Sequence, residues 1–108
     1  MRMFLCGLDE LEVGEVRRFE LEDLPAVALV RCDDGFHAVV DNCSHEDFPL
    51  SEGEVLPDLC EIECAHHGST FSLLDGEPQS LPATRPVPVL QLETEGDDLY
   101  VEMPDVTQ

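Results

Sequence analysis

Two short clusters in this chain combine residue types that bind metals. They are Cys43-Ser44-His45 and Cys64-Ala65-His66-His67-Gly68, and they hold two of the five cysteines and three of the four histidines. Thiolates and imidazoles together hold soft metal centres. Four such ligands can build a tetrahedral zinc site. They can equally hold a two-iron, two-sulfide cluster, with the cysteines on one iron and the histidines on the other. Zinc fingers commonly group like ligands together. Here each cluster offers a cysteine and a histidine, which suits a centre held between two loops, each giving one ligand to each iron. In the second cluster His66 and His67 compete for the ligand role, and on residue type alone zinc and iron–sulfur both stay open.

The elements that must position these residues read as strands. Turn signals recur along the chain at the spacing of an all-β domain. Val16–Leu21 alternates, and Ala26–Cys32 is a continuous apolar run suited to a buried strand. Asp33-Asp34-Gly35 is a hairpin signal, because Asp-Gly tolerates the positive φ of tight turns, and Phe36–Val40 is its return strand. Asp41 to Glu61 loses periodicity. Leu59–Cys64 resumes a short alternation, so each ligand cluster follows a strand-like segment and opens a loop. Ser69–Leu74 leads into Asp75-Gly76, a second hairpin signal. Pro78, Pro82, Pro86 and Pro88 mark loop or sheet edge, since proline cannot donate to a ladder. Val87–Glu93 and Leu99–Met103 flank a turn at Glu95–Asp98. The single helical candidate is one turn at Leu8–Leu11. Core candidates include Phe4, Phe19 and Phe36.

Composition narrows the function. The 108 residues carry 25 acidic and 5 basic side chains, a formal charge of −20. Such a surface repels phosphate backbones and anionic lipid, so neither nucleic acid nor membrane is expected as a partner. No apolar run nears the roughly 20 residues of a membrane helix, and the N-terminus turns acidic too early for a secretory signal. A cytoplasmic protein is expected, without stable disulfides. At 43% hydrophobic content the chain can form a core despite its charge. We expect one domain over residues 1–103, with a cluster-binding subdomain at about 41–72, and a frayed tail over 104–108.

Cys-x-His followed by Cys-x-x-His-Gly resembles the Rieske iron–sulfur motif. The surroundings are similar too: Asp41-Asn42, Leu50-Ser51-Glu52-Gly53, Ile62-Glu63, Leu73–Glu77 and Pro82–Val89. Together they resemble the small Rieske ferredoxins that serve bacterial ring-hydroxylating oxygenases, from about Val13 to Val101. The resemblance implies an antiparallel β-sandwich with a small inserted cluster-binding subdomain. It also implies a [2Fe-2S] cluster, with Cys43 and Cys64 on the buried iron and His45 and His67 on the outer iron. Gly68 would then sit where a close turn follows the ligand. The implied function is a monomeric one-electron carrier, not an enzyme, passing electrons from a flavoprotein reductase to a terminal oxygenase.

Departures from the high-potential Rieske proteins bear on the potential. The positions of their extra disulfide hold Phe48 and His66. Their cluster-bonding serine is kept as Ser69, but their tyrosine position is Phe71, which has no hydroxyl. Fewer hydrogen bonds to sulfur imply a low potential. Reduction takes a neutral cluster to −1 inside an already acidic protein, which opposes it further.

The remaining residues have plainer readings. Cys6, Cys32 and Cys60 read as small apolar residues, with a redox or assembly role as the alternative for Cys60. His37 reads as a packed or surface histidine. For Phe48 and Phe71, shielding of the cluster and plain packing are both open. Glu46 and Asp47, beside His45, would steer basic partners. Rival functions are a Rieske ferredoxin of cluster assembly or redox sensing, a zinc-binding interaction module, and a nitrite reductase small subunit, which usually lacks the ligands.

Overall fold

The computed structural model describes residues 2–21, 26–42, 49–65, 68–79 and 86–102. They form nine strands: β1 (Arg2–Gly7), β2 (Val16–Phe19), β3 (Val27–Cys32), β4 (Gly35–Val40), β5 (Glu54–Leu56), β6 (Glu61–Glu63), β7 (Thr70–Ser72), β8 (Val89–Glu95) and β9 (Asp98–Glu102). Among the described residues the only helical turns are 3-10 turns at Leu8–Glu10 and Leu50–Glu52. None is long and apolar enough to cross a membrane.

All pairings are antiparallel. Six strands run in the order β1-β9-β8-β4-β3-β2, and β5-β6-β7 form a separate small sheet inserted between β4 and β8. The join between β8 and β4 is short, only Ala38↔Leu90 and Val39↔Val89. This lets the two halves of the large sheet fold face to face. Between them lie Leu5, Val27, Leu29, Ala38, Leu90, Leu99 and Val101, almost fully buried. This core draws on strands of both halves, with Leu11 between them, so the halves cover each other and the result is a sandwich.

β3 lies at the centre. Side chains alternate across a strand, so Val27 and Leu29 enter the sandwich core while Ala28, Val30 and Cys32 enter a second core on the other face. That second core is completed by the small sheet and its flanks through Leu50, Val55, Ile62, Cys64, Phe71 and Leu73. The continuous apolar run of β3 is therefore the signature of a strand buried on both faces.

Two expectations need adjustment. Phe4 is not core: it is 54% exposed. It lies on the outer face, edge to face with Tyr100 at 5.6 Å, with Arg2 over the same tyrosine ring at 4.1 Å. A β-bulge between Phe4 and Cys6 breaks the alternation and lets the adjacent Leu5 and Cys6 both point inward. Phe19 and Phe36 do pack against the sandwich core. At the second hairpin signal the chain reverses as expected, with Ser72 N–H donating to Glu77 O and Gln79 N–H to Thr70 O. The returning segment forms only an isolated bridge at Pro78, where the proline has no N–H to continue a ladder. The tail over 104–108 lies outside the described residues.

Candidate metal centre

The second ligand cluster is the loop of a tight hairpin. Register pairs Glu63 of β6 with Thr70 of β7, so residues 64–69 connect the strands. The Cys64 N–H donates to Ser69 O at 2.6 Å, and the Gly68 N–H donates to Cys64 O at 2.9 Å. Gly68 has φ +77°, in the left-handed region open to glycine. The Cys64 side chain is 1% exposed and packs in the same core as Phe71. Ser69 is fully buried. The two ends of the loop are thus fixed, and His66 and His67 fall in sequence between Ala65 and Gly68, which are both exposed.

The first ligand cluster falls within residues 43–48, outside the described residues, but both of its flanks are placed. Asp41, at the end of β4, has a carboxylate with no exposed surface. It accepts from the Ser51 N–H at 2.7 Å, the Ser51 hydroxyl at 2.6 Å and the Arg18 guanidinium at 2.8 Å. Asp41 precedes the loop and Ser51 follows it, so these bonds close the loop at its base. A buried carboxylate with three donors is satisfied without water.

The two loops meet backbone to backbone at Gly53. A Cβ built there would collide with the Glu63 carbonyl oxygen and stand 3.2 Å from the Ala65 nitrogen. These are the residues on either side of Cys64. Gly53 therefore lets the exit of the first loop approach the entry of the second.

Of the expected site residues, Cys64, Gly68, Ser69 and Phe71 are brought to one end of the small sheet. Cys43, His45, His66 and His67 lie outside the described residues, as do Phe48, Glu46 and Asp47. The donor chemistry fits an iron–sulfur centre: a buried thiol and a buried hydroxyl share one loop, and the opposing loop is closed by a buried ionic clamp. The sequence reading missed a different group of ligand-type side chains, Cys32, Asp34, His37 and Cys60. Their potential ligand atoms all lie within 4.8 Å of one another. No sequence motif links them, because their spacing is set by the approach of the β3–β4 hairpin to the turn before β6.

Comparison with known proteins places this architecture. The Rieske [2Fe-2S] domain model matches residues 1–91. The 3-phenylpropionate/cinnamic acid dioxygenase ferredoxin subunit of Escherichia coli (strain K12) is 33% identical over 104 residues, 96% of this chain and 95% of that protein. The fold is similar to a chain in a complex of reduced oxygenase and oxidized ferredoxin in carbazole 1,9a-dioxygenase, with TM-score 0.87, 33% identity and coverage of 93% and 91% of the two chains. It is also similar to the ferredoxin of carbazole 1,9a-dioxygenase from Nocardioides aromaticivorans IC177, with TM-score 0.84, 29% identity and coverage of 92% and 96%. Sequence motif, inserted three-stranded sheet and family match agree: the chain belongs to the Rieske [2Fe-2S] domain family, with a [2Fe-2S] cluster as its cofactor.

Proposed function

We propose that this chain is a cytoplasmic, monomeric electron carrier that accepts one electron from a flavoprotein reductase and delivers it to a terminal oxygenase. It is a component of a multicomponent system and not itself an enzyme. The observation that carries this reading is the end-to-end match to ferredoxin subunits of ring-hydroxylating dioxygenases. Cys43 and Cys64 hold the inner iron, and His45 and His67 the outer one. Residues 41–72 form the cluster-binding lobe of a single domain over 1–103. The cluster stores the electron. The chain's own residues hold it in place and keep water from the thiolate side through the core around Cys64 and Phe71.

The test is the visible and electron-paramagnetic spectrum of the purified holoprotein before and after dithionite, with iron and acid-labile sulfide counted. Two irons and two sulfides per chain, with a signal that appears on reduction, are expected. Colourless protein with zinc and no sulfide overturns the reading. Electron transfer to the partner oxygenase should slow as salt rises, because a −20 chain docks on basic surface through screened charges. A salt-independent rate removes the steering role of Glu46 and Asp47.

The midpoint potential is expected at the negative end of the about −150 to +300 mV range of Rieske centres. Phe71 is buried in the same core as Cys64 and offers no donor. Ser69 is the remaining hydroxyl in that loop. A hydrogen bond to a charged acceptor contributes about 1.5–3 kcal/mol, which corresponds to about 65–130 mV for one electron. Ser69→Ala is therefore expected to lower the potential by about that amount. An unchanged potential in a potentiometric titration means the hydroxyl is bonded elsewhere.

A further inference from the structure

We propose that Cys32, Asp34, His37 and Cys60 form a second metal site, a closed four-ligand site for one zinc-class divalent cation. Cys60 and Cys64 bracket β6, so this site lies at the opposite end of that strand from the cluster, about 13 Å away at the rise of an extended chain. The site has separate ligands and a separate position from the Rieske motif.

Geometry is the first support. All four potential ligand atoms lie within 4.8 Å of one another. In a tetrahedral zinc site, with bonds of about 2.0–2.3 Å, ligand atoms stand about 3.3–3.8 Å apart. The group therefore needs a contraction of no more than about 1.5 Å. Asp34 Oδ1 is already 3.1 Å from His37 Nε2 and 4.0 Å from Cys60 Sγ.

The backbone is arranged to bring the donors together. Cys32 and Gly35 close the β3–β4 hairpin, which carries Asp34 in its turn and His37 on β4. The Asp33 N–H donates to Pro57 O at 3.2 Å, tying this hairpin to the turn that supplies Cys60. Cys60 itself has φ +54°, the only non-glycine in the left-handed region among the described residues. That conformation disfavours any L side chain by about 1–2 kcal/mol. It nevertheless turns the thiol inward, where Cys60 is 6% exposed and Cys32 1%. Strain retained at a residue whose side chain meets three other ligand types is a mark of a site.

Chemistry selects the cation. Two sulfurs and an imidazole favour zinc-class ions over magnesium or calcium. Burial pushes both thiols up from their usual range, so they are protonated without metal. Binding releases both protons, and the dication then balances the two buried thiolates. The one extra negative charge, Asp34, lies at the solvent edge with 62% of its side chain exposed.

The test uses holoprotein with two irons and two sulfides per chain confirmed. Zinc is titrated against a chromogenic chelator in excess magnesium, which occupies the acidic surface. One zinc per chain is expected in addition to the intact cluster, with two sulfur and two nitrogen-or-oxygen neighbours by zinc-edge X-ray absorption. His37→Gln alters a side chain that is 20% exposed and belongs to neither core cluster, so the core stays intact. Loss of even a partner that orients a ligand weakens metal sites by about 10–100-fold, so His37→Gln is expected to weaken zinc binding by about 100-fold or more. Cys60→Ser is expected to abolish it. No zinc uptake by holoprotein, or equal uptake by His37→Gln, overturns the proposal. So does a Cys32–Cys60 disulfide, seen as thiols that alkylate only after reduction. The iron and sulfide counts keep a failure here distinct from a failure of the Rieske assignment.

Discussion

Asp41→Ala is expected to destabilise the holoprotein by about 3 kcal/mol and to shorten the lifetime of its cluster severalfold. The carboxylate has no exposed surface and accepts three hydrogen bonds. Hydrogen bonds to a charged group contribute about 1.5–3 kcal/mol each and are not additive. The Ser51 side carries most of this. Alanine leaves the Ser51 N–H and hydroxyl without their acceptor at the base of the loop that holds Cys43 and His45. The Arg18 side contributes less, because 36% of the Arg18 side chain is exposed and its guanidinium also bonds Glu20. Fully exposed ion pairs contribute about 0–1 kcal/mol, but the Asp41 end of this pair is buried, where a hydrogen bond to a charged group contributes at least about 1.5 kcal/mol. Arg18→Ala is accordingly expected to cost about 1–2 kcal/mol, less than Asp41→Ala, and to leave the cluster in place. Asp41→Asn keeps one acceptor for Ser51 and falls between the two. Denaturant unfolding and the decay of visible absorbance in chelator check this series. Equal effects from Asp41→Ala and Arg18→Ala would show that the ion pair, and not the loop clamp, is the working contact.

How far the sequence could reach is visible at particular residues. β3 was legible because burial on both faces writes a continuous apolar run, Val27 to Val30, that no other strand type produces. β4 followed from Asp-Gly, β8 and β9 from alternation around Gly96. β1 was not legible, because the bulge at Phe4–Cys6 cancels the period of two. The same bulge makes Phe4 an outward residue in an apolar segment. β5 is three residues long, between Gly53 and Pro57, too short to show a period. The ligand motif was legible because a cluster held by two loops needs its donors at fixed short spacings within each loop. The group at Cys32, Asp34, His37 and Cys60 was not, since 26 residues separate Asp34 from Cys60. Only the packing of a turn against a hairpin brings them together. Asp41 was visible only as part of a resemblance; that it is a buried clamp depends on Ser51 arriving from the far side of the loop.

Gly53→Ala is expected to reach or exceed the upper end of the about 1–3 kcal/mol typical of overpacking, and to yield protein with less than its full complement of iron. Gly53 has φ −90°, a conformation open to any residue. Its requirement is for space alone, because an added Cβ would collide with the carbonyl of Glu63. That carbonyl belongs to the backbone immediately before Cys64 and is fixed by the pairing of Glu63 with Glu54 and Thr70. It cannot yield as a flexible side chain would, so the two ligand loops must part. Gly96→Ala is the matched contrast. Gly96 has φ +64° and nothing within 4 Å of an added Cβ. Its cost is conformational, about 1–2 kcal/mol, at the β8–β9 turn and away from the ligand loops. Both variants lower stability, but only Gly53→Ala is expected to lower the iron-to-protein ratio and broaden the reduced-state spectrum. If the two variants lose stability equally and both retain two irons, then the loops tolerate separation at Gly53. Cluster retention would then rest on the hairpin of β6 and β7 and on the Asp41 clamp, not on the contact between the loops.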